Sequence, residues 1–144
     1  MKTVSTLLQS KGGDVWSVSP GTMVYDALAL MAEKNVGALL VVEADRLVGI
    51  FSERDYARKV ILHGKSSRQT PVGEIMTSKV VYVRPEQTIE ECMALMTDKR
   101  IRHLPVLEGD RLAGVISIGD VVKAIISEQE FMIAQLENYI AGTR

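Results

Sequence analysis

The sequence has little of several residue types, and each shortage excludes a class of protein. Its one cysteine cannot form an internal disulfide, and alone it cannot build a structural zinc site. The 17 Lys and Arg residues are balanced by 18 Asp and Glu residues, so the chain lacks the basic excess of proteins that coat nucleic acid. Its longest apolar run, 37–42, has the length of a strand and is far shorter than the roughly 20 residues of a membrane span. We therefore expect no nucleic acid and no membrane among its partners.

The remaining composition is that of a folded globular protein. Of the 144 residues, 47% are hydrophobic and 24% are charged, which excludes a disordered or fibrous chain. The length suits one domain of ordinary size, or two very small ones that share a core. The first residues contain no apolar signal core and no small-residue cleavage site, so we expect a cytoplasmic protein.

An internal repeat organises the chain. When the sequence is shifted by 65 positions, residues 15–60 align with residues 80–125 without a gap, and 16 of the 46 aligned positions are identical. The segments that lead into the two copies, 4–8 and 72–76, also resemble each other. The pattern indicates a duplication.

Each copy is predicted to fold as β-α-β-β-α. The elements predicted in the first copy are a strand at 15–18, a helix at 24–35, a hairpin of strands at 38–43 and 47–51, and a helix from Ser52 towards His63. In the second copy, Thr88 and Glu91 have the spacing of a capping box at a helix start, and the last helix begins at Ser117. A further helix is predicted from Glu128 to Ile140.

The duplication predicts the fold class. We expect a mixed α/β (α+β) fold with a first repeat at 3–64, a second repeat at 71–126, and a C-terminal helix and tail at 127–144. A single copy of about 60 residues would bury little surface and be marginally stable alone. Two similar copies can pack about a pseudo-twofold axis and share a core, which would create a pair of related clefts lined by both copies.

One motif recurs where a strand meets a helix. It reads Gly-apolar-apolar-Ser-x-x-Asp and occupies residues 49–55 and 114–120. A serine at a helix N-cap with an acid three residues later is a common capping arrangement. The free N–H groups and hydroxyl of a helix N-terminus can also receive an anion such as phosphate, and the carboxylate can bind ribose hydroxyls as it does in dinucleotide folds. One motif can serve both purposes.

Two tandem copies with this motif resemble a pair of cystathionine-β-synthase (CBS) domains, also called a Bateman module. The segment Arg102-His103-Leu104-Pro105-Val106 is likewise typical of that family, and the resemblance covers roughly residues 3–126. With no catalytic or transport domain attached, the chain resembles the small stand-alone members. The resemblance implies a regulatory module that senses energy or cofactor state and modulates a partner. Its ligand would be adenosine-containing, namely AMP, ADP, ATP, NAD or S-adenosylmethionine, with no metal required.

The resemblance also implies two ligand clefts. The cleft at the second motif would use Arg102, His103, Ser117, Gly119 and Asp120, joined by Ser19, Val24, Val36 and Gly37 of the first copy. The cleft at the first motif would use Gly37, Ala38, Ser52, Arg54 and Asp55, joined by Arg84, Ile89 and Ile101 of the second copy. The two aspartates are expected on the ribose, the apolar positions against adenine, and the Ser, Arg and His side chains on the phosphates. The two clefts are not equivalent, because the first copy has Gly37-Ala38 where the second has Arg102-His103.

Two other functions stay open beside the binding module. One is an enzyme that acts on nucleotides, such as a hydrolase. Because the sequence lacks a Walker loop, a carboxylate cluster for metal, a Ser-His-Asp set and a Cys-His pairing, we expect no catalytic residues. The other is a structural dimer with vestigial clefts, in which capping alone explains the motif. CBS pairs usually form a disc-like dimer, so the resemblance implies a homodimer, and it names neither the regulated partner nor the physiological ligand.

Overall fold

The computed structural model describes residues 2–141, so residues 142–144 of the predicted tail lie outside the described part. In chain order, the elements are α1 (Val4–Lys11), β1 (Ser17–Val18), α2 (Val24–Lys34), β2 (Ala38–Glu43), β3 (Arg46–Ser52), α3 (Glu53–Asp55), a π-helical turn (Tyr56–Ile61), α4 (Val72–Ile75), α5 (Ile89–Lys99), β4 (His103–Glu108), β5 (Arg111–Ser117) and α6 (Ile118–Ile140). The predicted mixed α/β fold with a C-terminal helix is confirmed.

The described residues divide into two compact units that cut across the sequence repeats. One unit contains residues 14–81 and 109–112, and we call it the first-motif unit. The other, the second-motif unit, contains the described residues of 1–13, 82–108 and 113–144. Helix α1 therefore belongs to the second-motif unit, although it leads into the first repeat. Helix α4, which leads into the second repeat, belongs to the first-motif unit. The limits predicted for the two sequence repeats, 3–64 and 71–126, describe the duplication and not these compact units, and they stay a prediction.

The first-motif unit is a three-stranded sheet covered by helices. The strand order is β1-β2-β3, with β1 parallel and β3 antiparallel to β2. Helix α2 turns one stripe inward, because Val24, Ala27 and Met31 recur at helical spacing and are buried. They join a core that also contains Leu39, Val41, Phe51, Val60, Val72 and Ile75.

The second-motif unit repeats this plan around the β4–β5 pair. A parallel bridge between Val83 and Val106 stands where β1 pairs with β2 in the other unit. The capping box predicted at Thr88 and Glu91 is confirmed, and it starts α5. Helix α1 is part of this unit's core because Val4 is fully buried and its N–H donates to the Gln87 carbonyl at 2.8 Å.

The glycine that opens each motif leaves room for a lead-in helix. A Cβ atom on Gly49 would lie 2.5 Å from Sδ of Met76 and 3.0 Å from the Thr77 carbonyl oxygen. A Cβ atom on Gly114 would lie 2.7 Å from Cδ2 of Leu8. Met76 and Leu8 thus cover equivalent positions in the two units. The glycines are required for close approach and not for an unusual backbone angle.

Three predicted elements differ from the structure. The first strand is limited to Ser17–Val18, shorter than the predicted 15–18. The helix after Ser52 ends at Ile61, and its last six residues, Tyr56–Ile61, are π-helical, with the Leu62 N–H donating to the Ala57 carbonyl. The prediction of a separate helix beginning at Glu128 is wrong, because α6 runs unbroken from Ile118 to Ile140. Physically, residues 120–140 contain no glycine or proline that would end a helix.

Within residues 2–141, no helix combines the length and the apolar character that a bilayer crossing requires.

Candidate nucleotide-binding site

The first motif forms a closed capping box. The Ser52 hydroxyl accepts a hydrogen bond from the Asp55 N–H at 3.2 Å, and the Asp55 carboxylate accepts one from the Ser52 N–H at 3.0 Å. Two further groups bind the same carboxylate. The Thr77 hydroxyl donates to it at 3.2 Å, and the Lys59 ammonium lies 3.2 Å from it. Asp55 is therefore saturated by its own unit and is 7% exposed.

Other predicted residues of the first-motif cleft lie beside this capping box. Ala38 pairs with Ser52 across the β2–β3 ladder, and the Gly37 carbonyl accepts a hydrogen bond from the Glu53 N–H at 3.1 Å. Arg54 is exposed on the next residue of the helix. Gly37, Val36 and Glu53 also line a cavity of about 310 Å³ at the end of α2. The unit thus brings five predicted residues together: Gly37, Ala38, Ser52, Arg54 and Asp55.

The second motif forms the same capping box with a different cation. The Ser117 N–H donates to the Asp120 carboxylate at 2.8 Å, and the Asp120 N–H donates to the Ser117 hydroxyl at 3.2 Å. The Lys11 ammonium, from the end of α1, donates to the same Asp120 oxygen at 2.5 Å and to the Val115 carbonyl at 2.6 Å. The ion pair joins residues 109 positions apart, so it fixes α1 to the start of α6.

Arg102 and His103 complete a group of polar side chains in this unit. The Arg102 carbonyl accepts a hydrogen bond from the Ile118 N–H at 2.8 Å, which holds the start of β4 beside the start of α6. Arg102 is exposed and His103 is half-buried. We call Lys11, Arg102, His103, Ser117 and Asp120 the second-motif cluster.

The electrostatics of this cluster favour an added negative charge. Burial lowers the pKa of His103, and the positive charges of Lys11 and Arg102 lower it further, while Asp120 acts in the opposite direction. Burial alone would raise the pKa of Asp120, but the hydrogen bonds from Lys11 and Ser117 outweigh it and lower the pKa below its ordinary value. The lowered pKa favours the neutral form of His103, and burial is its largest cause. Lys11 and Arg102 add to the shift, and a bound anion would offset their positive charge.

The two aspartates differ in how accessible they are. The side chain of Asp55 is 10% exposed, whereas that of Asp120 is 26% exposed. Thr77 and Lys59 bind the Asp55 carboxylate, whereas Lys11 and the Ser117 N–H bind that of Asp120. Of the two motifs, the second therefore presents the more available carboxylate.

The other predicted residues lie in varied surroundings. In the first-motif unit, Ser19 is exposed and its hydroxyl bonds that of Thr22, whereas Val24 is fully buried in the core. In the second-motif unit, Ile89 is buried, Ile101 is half-buried and Gly119 is exposed on the first turn of α6. Arg84 is exposed, with its guanidinium 5.5 Å from the centre of the Tyr82 ring.

Sequence reasoning missed Lys11, Lys59 and Thr77. The similarity of the two lead-in segments, 4–8 and 72–76, indicates that they are equivalent, but it does not indicate which motif each of them contacts. The described residues contain no group of three or more His, Cys, Asp or Glu side chains placed to hold a metal ion.

This geometry defines a class: a duplicated β-α-β-β-α chain in which each copy opens its last helix with a Ser-x-x-Asp capping box. The profile of the CBS domain family matches residues 8–62 and 72–127. The chain belongs to the CBS domain family, as a tandem pair, and proteins of this kind are generally regulatory.

Several known proteins are similar to the chain over most of its length. The CBS domain-containing protein CBSX3, mitochondrial, from Arabidopsis thaliana is 45% identical over 150 residues, covering 97% of this chain and 72% of the relative. A solved protein with CBS domains from Burkholderia ambifaria is 55% identical, with a TM-score of 0.86 over 89% of this chain and 96% of the other. The CBS-CP12 protein from bloom-forming cyanobacteria, whose structure is hexameric, is 32% identical, with a TM-score of 0.75 over 83% of this chain and 66% of the other.

Proposed function

We propose that the chain is a regulatory module that binds an adenine nucleotide, AMP, ADP, ATP or NAD, at its CBS motifs and thereby modulates a partner. The observation that supports this most is the second-motif cluster. Three basic side chains and a partly exposed carboxylate surround one helix start, which suits a ligand that carries both phosphate and ribose.

Each member of the cluster has a proposed role. Asp120 accepts hydrogen bonds from the ribose hydroxyls, as the acidic residue does in dinucleotide folds. Arg102 and His103 bind phosphate oxygens, and Ser117 adds its hydroxyl. The contributions of Gly119 and of Ser19, Val24, Val36 and Gly37 from the first copy remain predictions.

The Lys11–Asp120 ion pair suggests how binding could alter the chain. A ribose hydroxyl that donates to Asp120 must share or replace the Lys11 ammonium, which lies 2.5 Å from the same carboxylate. A ligand can shift a conformational equilibrium only through different affinities for its states. Competition for Asp120 supplies such a difference. In the state with the ion pair the Lys11 ammonium occupies the Asp120 carboxylate, and in the state without it that carboxylate can accept the ribose hydroxyls.

We propose weaker binding, or none, at the first motif. The residues predicted to bind the nucleotide there are Ser52, Arg54 and Asp55 with Gly37 and Ala38, and with Arg84, Ile89 and Ile101 of the second copy. Asp55 already accepts bonds from Ser52, Thr77 and Lys59. A ribose would have to displace one of those groups.

Calorimetric titration of AMP, ADP, ATP and NAD into the purified chain tests the proposal. Arg102→Gln removes an exposed guanidinium that is proposed to bind phosphate, so we expect about a tenfold loss of affinity, equivalent to roughly 1.4 kcal/mol. Arg58→Gln is the matched control, because Arg58 is also exposed and has no proposed role. Both variants should unfold at the same temperature as the parent chain in the absence of ligand.

A second variant separates ribose recognition from phosphate recognition. Asp120→Asn keeps an acceptor for the Ser117 N–H and should lower the affinity for the preferred nucleotide. It should leave the affinity for the 2′,3′-dideoxy analogue unchanged. If millimolar nucleotide neither releases heat nor raises the unfolding temperature, the structural dimer with vestigial clefts is the better account, since a ligand of the native state must stabilise it.

We propose a binding module and not an enzyme, and the names of the similar proteins indicate no enzymatic activity. Steady-state turnover of ATP, ADP or NAD by the pure protein would contradict this. We further propose a homodimer; the hexameric CBS-CP12 protein supports the more general expectation that the chain assembles into an oligomer. The cytoplasm is the proposed location, and the mitochondrial name of the Arabidopsis relative makes the mitochondrion the alternative for imaging to test.

A further inference from the structure

The Lys11 ammonium occupies the Asp120 carboxylate from a position that it can leave. Lys11 is the last residue of α1, and its ammonium donates to the Asp120 carboxylate at 2.5 Å and to the Val115 carbonyl at 2.6 Å. Its side chain is 35% exposed and has a flexible four-carbon stem. The ammonium can therefore move away from Asp120 without any movement of the helix.

The first motif makes the equivalent contacts with a group that its backbone holds in place. The 65-residue repeat aligns the carbonyl of Ile50 with that of Val115, and Asp55 with Asp120. Thr77 serves both groups of the first motif, because its N–H donates to the Ile50 carbonyl at 2.9 Å and its hydroxyl donates to Asp55 at 3.2 Å. A second backbone hydrogen bond, from the Ile50 N–H to the Thr77 carbonyl at 3.0 Å, fixes this arrangement. In the second motif one mobile ammonium makes both contacts instead.

The displacement of Lys11 is harder for a ligand that lacks phosphate. A ribose hydroxyl that donates to Asp120 takes over the anion that offsets the Lys11 charge. The released ammonium then lies among other basic groups, since Lys11 and Arg102, in addition to burial, both lower the pKa of His103. A phosphate group brought by the same ligand offsets this excess of positive charge, whereas an uncharged nucleoside does not.

We infer that Lys11 makes the second motif selective for nucleotides over nucleosides, by blocking Asp120 until a phosphate group accepts its ammonium. The inference rests on the proposed nucleotide function and assigns a specificity-determining residue to the same site. Lys11 has two opposite effects on affinity. It competes with the ribose of every ligand, and it binds the phosphate of those ligands that carry one.

Calorimetric titration of adenosine, AMP, ADP and ATP into the parent chain and Lys11→Met tests the inference. Lys11→Met should bind adenosine about fivefold more tightly than the parent chain does, because the competing ion pair is gone. The lost phosphate contact costs about tenfold and outweighs that gain, so each nucleotide should bind about twofold more weakly. The preference for a nucleotide over adenosine should therefore fall about tenfold.

Two control variants separate the ammonium of Lys11 from other effects. Lys99→Met removes an exposed lysine of the same unit, so it changes the net charge equally and should leave every affinity unchanged. Lys11→Arg keeps a cation at the end of α1 and should keep the preference for nucleotides within about threefold of the parental value. Circular dichroism at the titration temperature verifies that each variant is folded.

The parent chain alone provides a second measurement, which does not depend on the folding of a variant. Salt screens both the ion pair and the attraction between ammonium and phosphate. When KCl is raised from about 20 to about 300 mM, adenosine should therefore bind more tightly and AMP more weakly. An affinity for adenosine that falls with salt would overturn the inference.

The remaining outcomes distinguish the inference from the proposed function. If Lys11→Met keeps the parental preference or binds adenosine more weakly, Lys11 is not the selective residue, and nucleotide binding by the parent chain still supports the proposed function. Loss of the preference in Lys99→Met as well would show a general effect of charge and would also overturn the inference. A parent chain that binds none of AMP, ADP, ATP and NAD would refute the proposed function, and the inference with it.

Discussion

Replacing Lys11 by methionine should weaken the attachment of α1 to the second-motif unit. Methionine keeps most of the aliphatic length but removes the ammonium, which lies 2.5 Å from Asp120 and 2.6 Å from the Val115 carbonyl. Asp120 would retain the hydrogen bond from the Ser117 N–H. Its charge would then lack a cation, so its pKa should rise from the lowered value.

The cost follows from the partial burial of the pair. The side chains of Lys11 and Asp120 are 35% and 26% exposed, between a surface pair and a buried one. Exposed pairs contribute up to about 1 kcal/mol, and hydrogen bonds to charged groups about 1.5–3 kcal/mol. We therefore expect Lys11→Met to lower the free energy of unfolding by about 1–2 kcal/mol and the unfolding temperature by about 3–6 °C. Lys59→Met should cost less, about 0.5 kcal/mol, because Lys59 is 44% exposed and pairs within one helix at 3.2 Å.

A double-mutant cycle with Asp120→Asn isolates the pair. Urea denaturation of the parent chain, both single variants and the double variant at pH 7 should give a coupling of about 1 kcal/mol between Lys11 and Asp120. Because the folded pKa of Asp120 is lowered, this stability is present above the unfolded value near 3.9 and is lost as the pH falls through the folded value. A coupling near zero at pH 7, or one that persists unchanged at pH 2, would refute the assignment.

Three further predictions concern other parts of the chain. Gly49→Ala should destabilise the protein by about 1–3 kcal/mol and Gly114→Ala by less. The methyl group added at Gly49 meets a backbone carbonyl, whereas the one added at Gly114 meets a flexible side chain. Urea denaturation of both variants would show this order of stability. Burial raises the pKa of the Cys92 thiol to about 11, so the folded protein should react with iodoacetamide at pH 7.5 far more slowly than the unfolded protein. Binding of a phosphorylated nucleotide should raise the lowered pKa of His103, so that the complex takes up a proton. The uptake should appear as a buffer-dependent heat of binding that His103→Asn abolishes and adenosine does not produce.

Without a ligand, His103 also makes stability depend on pH. Its folded pKa is lowered, so the unfolded chain binds a proton more readily than the folded one. Stability should therefore fall as the pH drops below the unfolded value near 6.5, until the folded value is reached. A parent chain and a His103→Asn variant with the same pH dependence between 5 and 8 would contradict this.

The duplicated sequence pattern predicted most of the local structure. Helical spacing predicted α2, with its inward residues at Val24, Ala27 and Met31, and the Thr88–Glu91 capping box appeared where its spacing required. These features depend on residues close together in sequence, so local chemistry determines them. The helix predicted at Glu128 failed because an apolar stripe shows where a helix exists and not where it begins.

Long-range packing was not accessible to the same reasoning. Lys11 meets Asp120 across 109 residues, and Leu8 packs on Gly114, because α1 belongs to the unit of the second copy. No local pattern around Lys11 indicates that partner. The motif residues Ser52, Asp55, Ser117 and Asp120 were predicted as capping boxes, and this reading is confirmed. Their role towards a ligand is a separate property that capping does not decide.

The central claim is that the second-motif cluster receives an adenine nucleotide, and a crystal structure of the protein with its tightest-binding nucleotide tests it most directly. The account predicts ribose hydroxyls within hydrogen-bond distance of Asp120, phosphate oxygens beside Arg102 and His103, and a Lys11 ammonium shared with or displaced from Asp120. A nucleotide bound elsewhere at saturation, with the Lys11–Asp120 pair unchanged and Asp120 untouched, would contradict it.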